Sequence, residues 1–310
     1  MSKARKIAKN DSLELISAAQ NKAEDKRLEV LKTYKLYIGG AFPRTESGRY
    51  WKLKTPAGKV IANVSRASRK DFRNAVVAAR RAFSGWAAKT AYNRGQILYR
   101  MAEMLEGRRE QFISELVLQG SNENEAVREV NAAIDRLVYY AGWADKYQQV
   151  FSAVNPVQSS HFNFSLPEPM GVVAVIAPES HGLLGLVSCI APVIVGGNSC
   201  VVLSSEKQPL SSITFAELME SSDVPAGAIN ILTGFREELL EHFSSHMDVN
   251  AVVSSDLESA ELKEVQSSAV SNLKRVINLK IKDWFSDEAQ NPYLIMETQE
   301  IKTTWHPIGL

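Results

Sequence analysis

The sequence contains few cysteines, almost no net charge and no long apolar run, and each of these deficits excludes a class of protein. Its two cysteines, Cys189 and Cys200, lie in apolar segments without the spacing of metal ligands, which predicts buried thiols in a reducing compartment and no metal site. The formal net charge is +1, so no overall field favours nucleic acid or an anionic membrane. No apolar run reaches the ~18 residues of a membrane span, and the start of the chain lacks a secretory signal. We therefore expect a cytoplasmic protein that binds neither nucleic acid nor membrane.

Changes of pattern along the chain predict three regions. Residues 1–34 carry a broken apolar stripe among many charges, as a helical arm does. Residues 35–280 have the pattern of one domain, and the first half of this domain is largely helical. Within it, Ser68 and Asp71 have the spacing of a capping box at a helix start. Residues 281–310 form a tail.

Beyond residue 171, short continuous apolar runs alternate with helical stretches. Strands that are buried on both faces give such runs, so the alternation predicts an α/β fold with a doubly wound parallel sheet. Just before this part, Phe162, Phe164 and Leu166 alternate with polar residues, as in a half-exposed antiparallel strand. The predicted buried strands cover residues 172–177, 200–203, 229–232, 251–253 and 276–279.

Eight short segments occur in the order in which one protein family has them. They are YIGG (37–40), YYAGWADK (139–146), EPMGVV (168–173), IAP (190–192), GN (197–198), VPAG (224–227), NILTGF (230–235) and SNLKRV (271–276). Together they resemble the aldehyde dehydrogenase superfamily. The resemblance implies a Rossmann-like NAD domain, and a reaction that needs a cysteine thiolate, an oxyanion donor, a glutamate base and a nicotinamide cofactor.

The positions where the family keeps its catalytic groups differ in this sequence. Ser180 stands where the family has the oxyanion-hole asparagine, and losing such a donor costs ~10²–10³ in rate. Cys189 stands where many members have a lysine. The general-base glutamate corresponds to Leu279 in an ungapped comparison and to Lys280 in one shifted by a residue. The family's catalytic cysteine belongs to a domain that follows this point, and neither Cys189 nor Cys200 is expected to replace it.

The positions that bind the cofactor in the family also differ. The lysine and glutamate that hold the adenosine ribose correspond to Ser204 and Glu206, and Glu206 either accepts from a ribose hydroxyl or is a solvated loop carboxylate. The two glycines of the pyrophosphate turn fall on Asp256 and Glu261, and carboxylates at a helix N-terminus occupy and repel an anion site. We therefore expect no cofactor, with NAD(P) as the alternative. His181 is either a loop base or, more simply, a surface or capping residue.

Two segments resemble the assembly strands of the family. Residues 151–168 resemble its oligomerisation hairpin, and residues 297–305 resemble its closing oligomerisation strand. The whole chain resembles the second, incomplete unit of the sixteenth class of the family, which lacks the catalytic cysteine domain. The resemblance implies assembly with a full-length aldehyde dehydrogenase subunit, or with a second copy of the chain.

Three functions follow as hypotheses. The first is a non-catalytic subunit, a pseudoenzyme with a structural or regulatory role. The second is an NAD(P)-dependent oxidoreductase that acts on aldehydes, alone or within a complex. The third is a sensor that binds a different nucleotide in the altered crevice without a reaction.

Overall fold

The computed structural model describes residues 30–309. Thr33 begins the compact unit that contains the rest of the described chain. The predicted helical arm itself, residues 1–34, lies almost wholly outside the described residues. The predicted tail, residues 281–310, belongs to the same unit as the domain before it.

The secondary structure follows the predicted order. The α-helices are α1 (Arg69–Ala87), α2 (Ala91–Gly107), α3 (Arg109–Leu118), α4 (Glu123–Trp143), α5 (Tyr147–Phe151), α6 (Leu184–Val195), α7 (Pro209–Glu220), α8 (Arg236–Ser245), α9 (Ser259–Ala269) and α10 (Tyr293–Met296). The strands are β1 (Thr33–Tyr34), β2 (Tyr50–Lys54), β3 (Val60–Ser65), β4 (Ala153–Asn155), β5 (His161–Pro169), β6 (Val172–Ile176), β7 (Ser199–Leu203), β8 (Ile229–Leu232), β9 (Ala251–Ser254), β10 (Arg275–Asn278) and β11 (Gln299–Pro307). None of the helices in the described residues is both long enough and apolar enough to cross a bilayer.

The start of α1 has the predicted capping box. The Ser68 side chain accepts a hydrogen bond from the backbone N–H of Asp71, and the Asp71 carboxylate accepts from the Ser68 N–H at 2.7 Å. Two otherwise unpaired amides of the first turn are thereby satisfied.

The central sheet is parallel, with the strand order β10-β9-β6-β7-β8. Alternate residues of β6 face two different cores. Val173 and Val175 pack in the core that contains α4, α6 and α7, whereas Val172, Ala174 and Ile176 pack in the core that contains α1 and α8. Helices therefore cover both faces of the sheet, which confirms the predicted doubly wound α/β fold.

The order of the strands creates a topological switch point between β6 and β9. From β6 the chain adds β7 and β8 on one side, and then crosses over to add β9 and β10 on the other. In sheets of this kind ligands bind in the crevice at the carboxyl ends of the strands beside the switch point. The turns after β6, β7, β8 and β9 therefore define the candidate site.

A second, antiparallel sheet has the order β11-β5-β4. The strand β11 pairs with β5 over its whole length, from Gln299 opposite Pro169 to Pro307 opposite His161. Between β10 and β11 the tail packs back onto the domain, where Trp284, Ala289 and Ile295 are buried in the larger core. The two segments that resemble assembly strands thus lie side by side in one sheet.

Candidate functional site

The turn after β6 is bonded to the turn after β7 through Glu179. The Glu179 carboxylate accepts hydrogen bonds from the Ser205 hydroxyl at 2.8 Å, from the Glu206 N–H at 3.0 Å and from the Lys207 N–H at 3.1 Å. Its own N–H donates to Asp256, in the turn after β9, at 2.8 Å. One residue therefore connects three of the four turns around the crevice.

Arg236, the first residue of α8, brings a guanidinium into this network. Its Nη2 lies 2.9 Å from Asp256 Oδ1 and 3.7 Å from Glu179 Oε1, and its Nη1 lies 3.6 Å from Glu261 Oε2. The Arg236 side chain is only 12% exposed, whereas the Asp256 carboxylate is 32% exposed, so solvent screens these contacts in part. We call Arg236, Glu179, Asp256 and Glu261 the crevice cluster.

The two residues that correspond to the family's ribose-binding pair lie beside the crevice cluster. Glu206 Oε1 accepts from the N–H of Arg236 at 2.5 Å, so this carboxylate caps the start of α8. Burial raises the pKa of Glu206, and the Arg236 amide opposes that shift. Ser204 is buried and its N–H donates to the Leu232 carbonyl, as part of the sheet edge. Glu206 is therefore neither a free ribose acceptor nor a fully solvated carboxylate.

The N-terminus of α9 is the position to which the resemblance assigns the pyrophosphate. Glu258 caps it, because its side chain accepts from the N–H of Glu261, while the Glu261 carboxylate accepts from the Glu258 N–H at 2.8 Å. A phosphate group at this position would need free backbone amides and a cation. The carboxylates of Glu258 and Glu261 already bind these amides, and Asp256 pairs with Arg236. The residues present at this position do not fit a dinucleotide pyrophosphate.

The predicted catalytic residues lie along the same edge of the sheet, but they do not lie next to one another. Ser180 is exposed on the turn after β6, whereas Leu279 directly follows β10, and β9 lies between these two strands in the sheet. Leu279 is half-buried against the core and its N–H donates to the Ser254 carbonyl at 2.6 Å, while Lys280 is exposed. None of these side chains is a carboxylate that activates water.

Both cysteines are buried thiols, as the sequence predicted. Cys189 lies on α6, and burial raises the pKa of its thiol to about 12. Cys200 lies on β7, and burial raises the pKa of its thiol as well. Because the thiolate is the nucleophilic form, neither side chain is activated at neutral pH. In the described part of the chain, no group of three or more His, Cys, Asp or Glu side chains is arranged to hold a metal ion.

His181 adopts a left-handed backbone conformation, with a φ of +56°. Its Nδ1 is buried without a hydrogen-bond partner, and its ring meets the edge of Phe285 at a centroid distance of 5.1 Å. The Arg128 guanidinium lies over the same Phe285 ring, 3.8 Å from its centroid. The tail thereby packs against the turn that carries Ser180.

Two buried charges on α4 were missed from the sequence. Glu129 accepts from the N–H groups of Leu183 and Leu184 at 2.9 and 3.1 Å, at the start of α6, and burial raises its pKa. Arg136 donates to Ser188 Oγ at 2.7 Å and to the Trp284 carbonyl at 2.9 Å, so it fixes the tail against α6. Glu129 and Arg136 are seven residues apart, which places them on the inward face of the helix. Two charged residues seven positions apart within an apolar helical stripe indicate buried charges, so the sequence did contain a signal for this pair.

Arg236 was also missed, although the sequence contained an indirect signal. The turns and the helix start at this edge of the sheet contain the carboxylates Glu179, Glu206, Asp256 and Glu261, and such a concentration of negative charge favours a cation nearby. Arg236 is the basic residue that begins the helix after β8. Its role depends on the crossover that returns α8 over the sheet, which the sequence does not show.

Both the sequence and the fold of this chain match known proteins. The model of the aldehyde dehydrogenase family matches residues 43–278. An aldehyde dehydrogenase of Aspergillus niger is 33% identical over 244 residues, which are 78% of this chain and 48% of that protein. The cytosolic 10-formyltetrahydrofolate dehydrogenase of Mus musculus is 31% identical over 257 residues, 81% of this chain and 28% of that protein.

Solved structures give the same result for the fold. The crystal structure of PnpE from Pseudomonas sp. WBC-3 matches with a TM-score of 0.76 and 29% identity, over 80% of this chain and 50% of that one. The NAD⁺ complex of an aldehyde dehydrogenase from Bacillus cereus matches with a TM-score of 0.75 and 26% identity, again over 80% and 50%. The chain thus spans about half the length of these structures, and half or less of the two sequence relatives named above.

Proposed function

The chain belongs to the aldehyde dehydrogenase family, and we propose that it acts as a non-catalytic subunit with a structural or regulatory role in the cytoplasm. The observation that carries the proposal is the crevice cluster. Arg236 already neutralises Glu179 and Asp256 at the switch point, 3.7 and 2.9 Å away, where a dinucleotide would have to place its phosphates. A bound dinucleotide would have to break these contacts and approach carboxylates.

The catalytic positions support the same proposal. Aldehyde oxidation of the family's kind needs a thiolate, an oxyanion donor and a carboxylate base close together. The resemblance assigns a serine, Ser180, and a leucine, Leu279, to the second and third of these positions. The thiols of Cys189 and Cys200 are buried and protonated at neutral pH. At these positions the described residues therefore offer neither a thiolate nor a carboxylate base, and Ser180 offers only a shorter hydroxyl donor in place of the amide.

The alternative is an NAD(P)-dependent oxidoreductase that acts on aldehydes, alone or within a complex. It is supported by the Bacillus cereus relative, whose solved structure contains NAD⁺ on the same fold. For this alternative to hold, the crevice cluster must open, so that Arg236 turns from its carboxylates to the phosphates.

Thermal unfolding with NAD⁺ and NADP⁺ at millimolar concentration separates the two functions. We expect no change in Tm for this chain, and a clear rise for the Aspergillus niger relative measured in parallel. A saturable rise in Tm would favour the oxidoreductase. If Asp256→Lys abolished or strengthened that rise, the cofactor would bind in the crevice. An aldehyde-dependent reduction of NAD(P)⁺ by the purified chain would overturn the non-catalytic proposal.

The antiparallel sheet suggests how such a subunit assembles. Strand β11 is at the edge of its sheet, and its outer edge pairs with no strand among residues 30–309. Ile301 and Trp305 are 55% and 57% exposed on one face of it. A nine-residue edge strand with exposed apolar side chains is a site for strand addition. We propose that it receives a strand of a full-length aldehyde dehydrogenase subunit, with a second copy of this chain as the alternative.

Native mass measurement tests the assembly. The chain is purified alone and after co-expression with a full-length relative from the same organism. We expect a hetero-oligomer that Trp305→Lys weakens, while Tyr50→Lys leaves it intact, because Tyr50 is equally exposed but lies on β2 in another sheet. A stable homodimer that does not bind the co-expressed relative would exclude the hetero-oligomer.

A further inference from the structure

A concave surface of about 470 Å³ lies between the first turn of α1 and the last turn of α8. Since α8 is ten residues long, this surface is roughly 14 Å from Arg236 and is separate from the crevice. Its polar lining consists of Arg69, Arg73, Glu241, His242, Ser245 and His246. Two arginines and two histidines thus line one hollow. Neither the crevice cluster nor the antiparallel sheet explains why these four side chains lie together.

Aromatic packing holds the two walls of the hollow in place. Phe72 of α1 stacks on Phe243 of α8, with the ring centroids 4.2 Å apart. The edge of the His246 ring meets Phe72 at 5.7 Å. His246 Nδ1 accepts the N–H of Asp248 at 3.2 Å, so in the neutral ring the proton is on Nε2, which is a donor. The histidine is therefore fixed in orientation before any ligand binds.

Among residues 30–309, no carboxylate pairs with either arginine of the hollow. Arg69 and Arg73 are four residues apart on α1 and therefore lie on one face of the helix. Neither guanidinium forms an ion pair with a carboxylate within the described chain, whereas the neighbouring Lys70 is paired with Glu46. The two planar donor groups are thus free to bind an anion.

The surrounding charges also favour an anion. Arg80 donates to the Asp248 carbonyl and to Asn250, and Lys274 Nζ donates to the His246 carbonyl at 3.0 Å. These cations lie near the carboxyl end of α8, where they offset the negative end of the helix dipole. The opposing carboxylates are Glu241 in the lining and Asp248 beyond His246. The cations outnumber the carboxylates around the hollow.

We propose that this hollow binds the phosphate monoester group of a small metabolite. The two guanidinium groups and the two imidazoles supply enough donors for the three terminal oxygens of a phosphate monoester, and the Ser245 hydroxyl lies in the same lining. A volume of about 470 Å³ is within the usual range for a small-molecule site, so part of the ligand beyond the phosphate also fits. This proposal does not depend on the function proposed above.

His246 should act as a neutral donor. Burial lowers its pKa, and the charges of Lys274, Arg73 and Arg80 lower it further, while Asp248 opposes the shift. Because Nδ1 accepts the N–H of Asp248, forming the imidazolium would break that hydrogen bond, so the ring offers its Nε2–H to the ligand in the neutral form.

Calorimetric titration of the full chain at constant ionic strength tests the proposal, with inorganic phosphate and glucose 6-phosphate as probes. We expect saturable binding of both, with glucose 6-phosphate at least as tight. Arg73→Gln and Arg69→Gln should each weaken it by about tenfold, the worth of one charge-assisted contact. Arg81→Gln is the matched control, because Arg81 is exposed on the same helix outside the hollow. Glu241→Gln should tighten binding, since it removes the opposing carboxylate.

Three outcomes would contradict the proposed phosphate site. No saturable heat with either probe overturns the proposal, as does binding that Arg73→Gln and Glu241→Gln leave unchanged. Binding of inorganic phosphate without glucose 6-phosphate shows an adventitious ion only. Because Arg69, Arg73 and Glu241 are exposed, these variants should fold, and their Tm values check this directly.

Discussion

Arg236 Nη2 lies 2.9 Å from Asp256 Oδ1, although the two residues follow strands β8 and β9, which are three positions apart in the sheet. The contact exists because α8 returns across the sheet between these strands, so that its first residue faces the switch point. A position at which the fold binds cofactor phosphates is occupied here by an internal ion pair.

Removing the Arg236 cation should destabilise the fold. Arg236→Met leaves Glu179, Asp256 and Glu261 close together without their shared partner, which should lower the free energy of unfolding by roughly 2 kcal/mol. Urea denaturation measures this. Arg100→Met is the control, since Arg100 pairs with Glu103 on an exposed helix face and should cost less than about 0.5 kcal/mol. Equal effects of the two variants would mean that the crevice cluster has no special role.

Arg136 should hold the tail against the domain. Arg136→Met removes its hydrogen bonds to Ser188 and the Trp284 carbonyl, and leaves buried acceptors unsatisfied, so about 3 kcal/mol of stability should be lost. Hydrogen exchange should increase first in residues 283–291. Arg136→Lys should recover only part of the loss, because one ammonium cannot reach all the acceptors of a guanidinium. Unchanged exchange in the tail would exclude this role.

Lys274 should make the protein more stable at alkaline pH. Burial lowers the pKa of Lys274 from 10.5 to about 8, so the unfolded chain binds more protons than the native state between these values. Stability relative to Lys274→Met should therefore rise from pH 8 to pH 10, by on the order of 2 kcal/mol. Comparing urea midpoints of the two proteins cancels the titration of other groups. A difference that does not change with pH would contradict the lowered pKa.

The cysteines should be inert in the native protein. Because Cys189 and Cys200 are fully buried and their pKa values are raised, iodoacetamide at neutral pH should modify neither of them. Both should react once urea unfolds the chain, which is the internal control. Rapid alkylation of native Cys189 would reveal a reactive thiol and would revive the oxidoreductase alternative.

Features that depend on neighbours along the chain could be predicted from the sequence. The five parallel strands follow from short apolar runs, and the Ser68–Asp71 capping box follows from a spacing of three residues. Both patterns reflect local geometry, the burial of a strand on two faces and the unpaired amides of a first helical turn. The family resemblance added the expectation of a Rossmann-like domain and the positions at which the chemistry differs.

Only the tertiary structure decided how the altered positions are used. The sequence placed carboxylates in the turns after β6, β7 and β9, but it did not show that Arg236 joins Glu179 to Asp256 or that Glu206 caps α8. Likewise, Arg136 meets the Trp284 carbonyl nearly 150 residues later in the chain. The physical reason is that charge pairing inside a fold depends on distances of a few ångströms between remote segments. Those distances are set by the helix crossovers, whereas the sequence pattern records only which faces are buried.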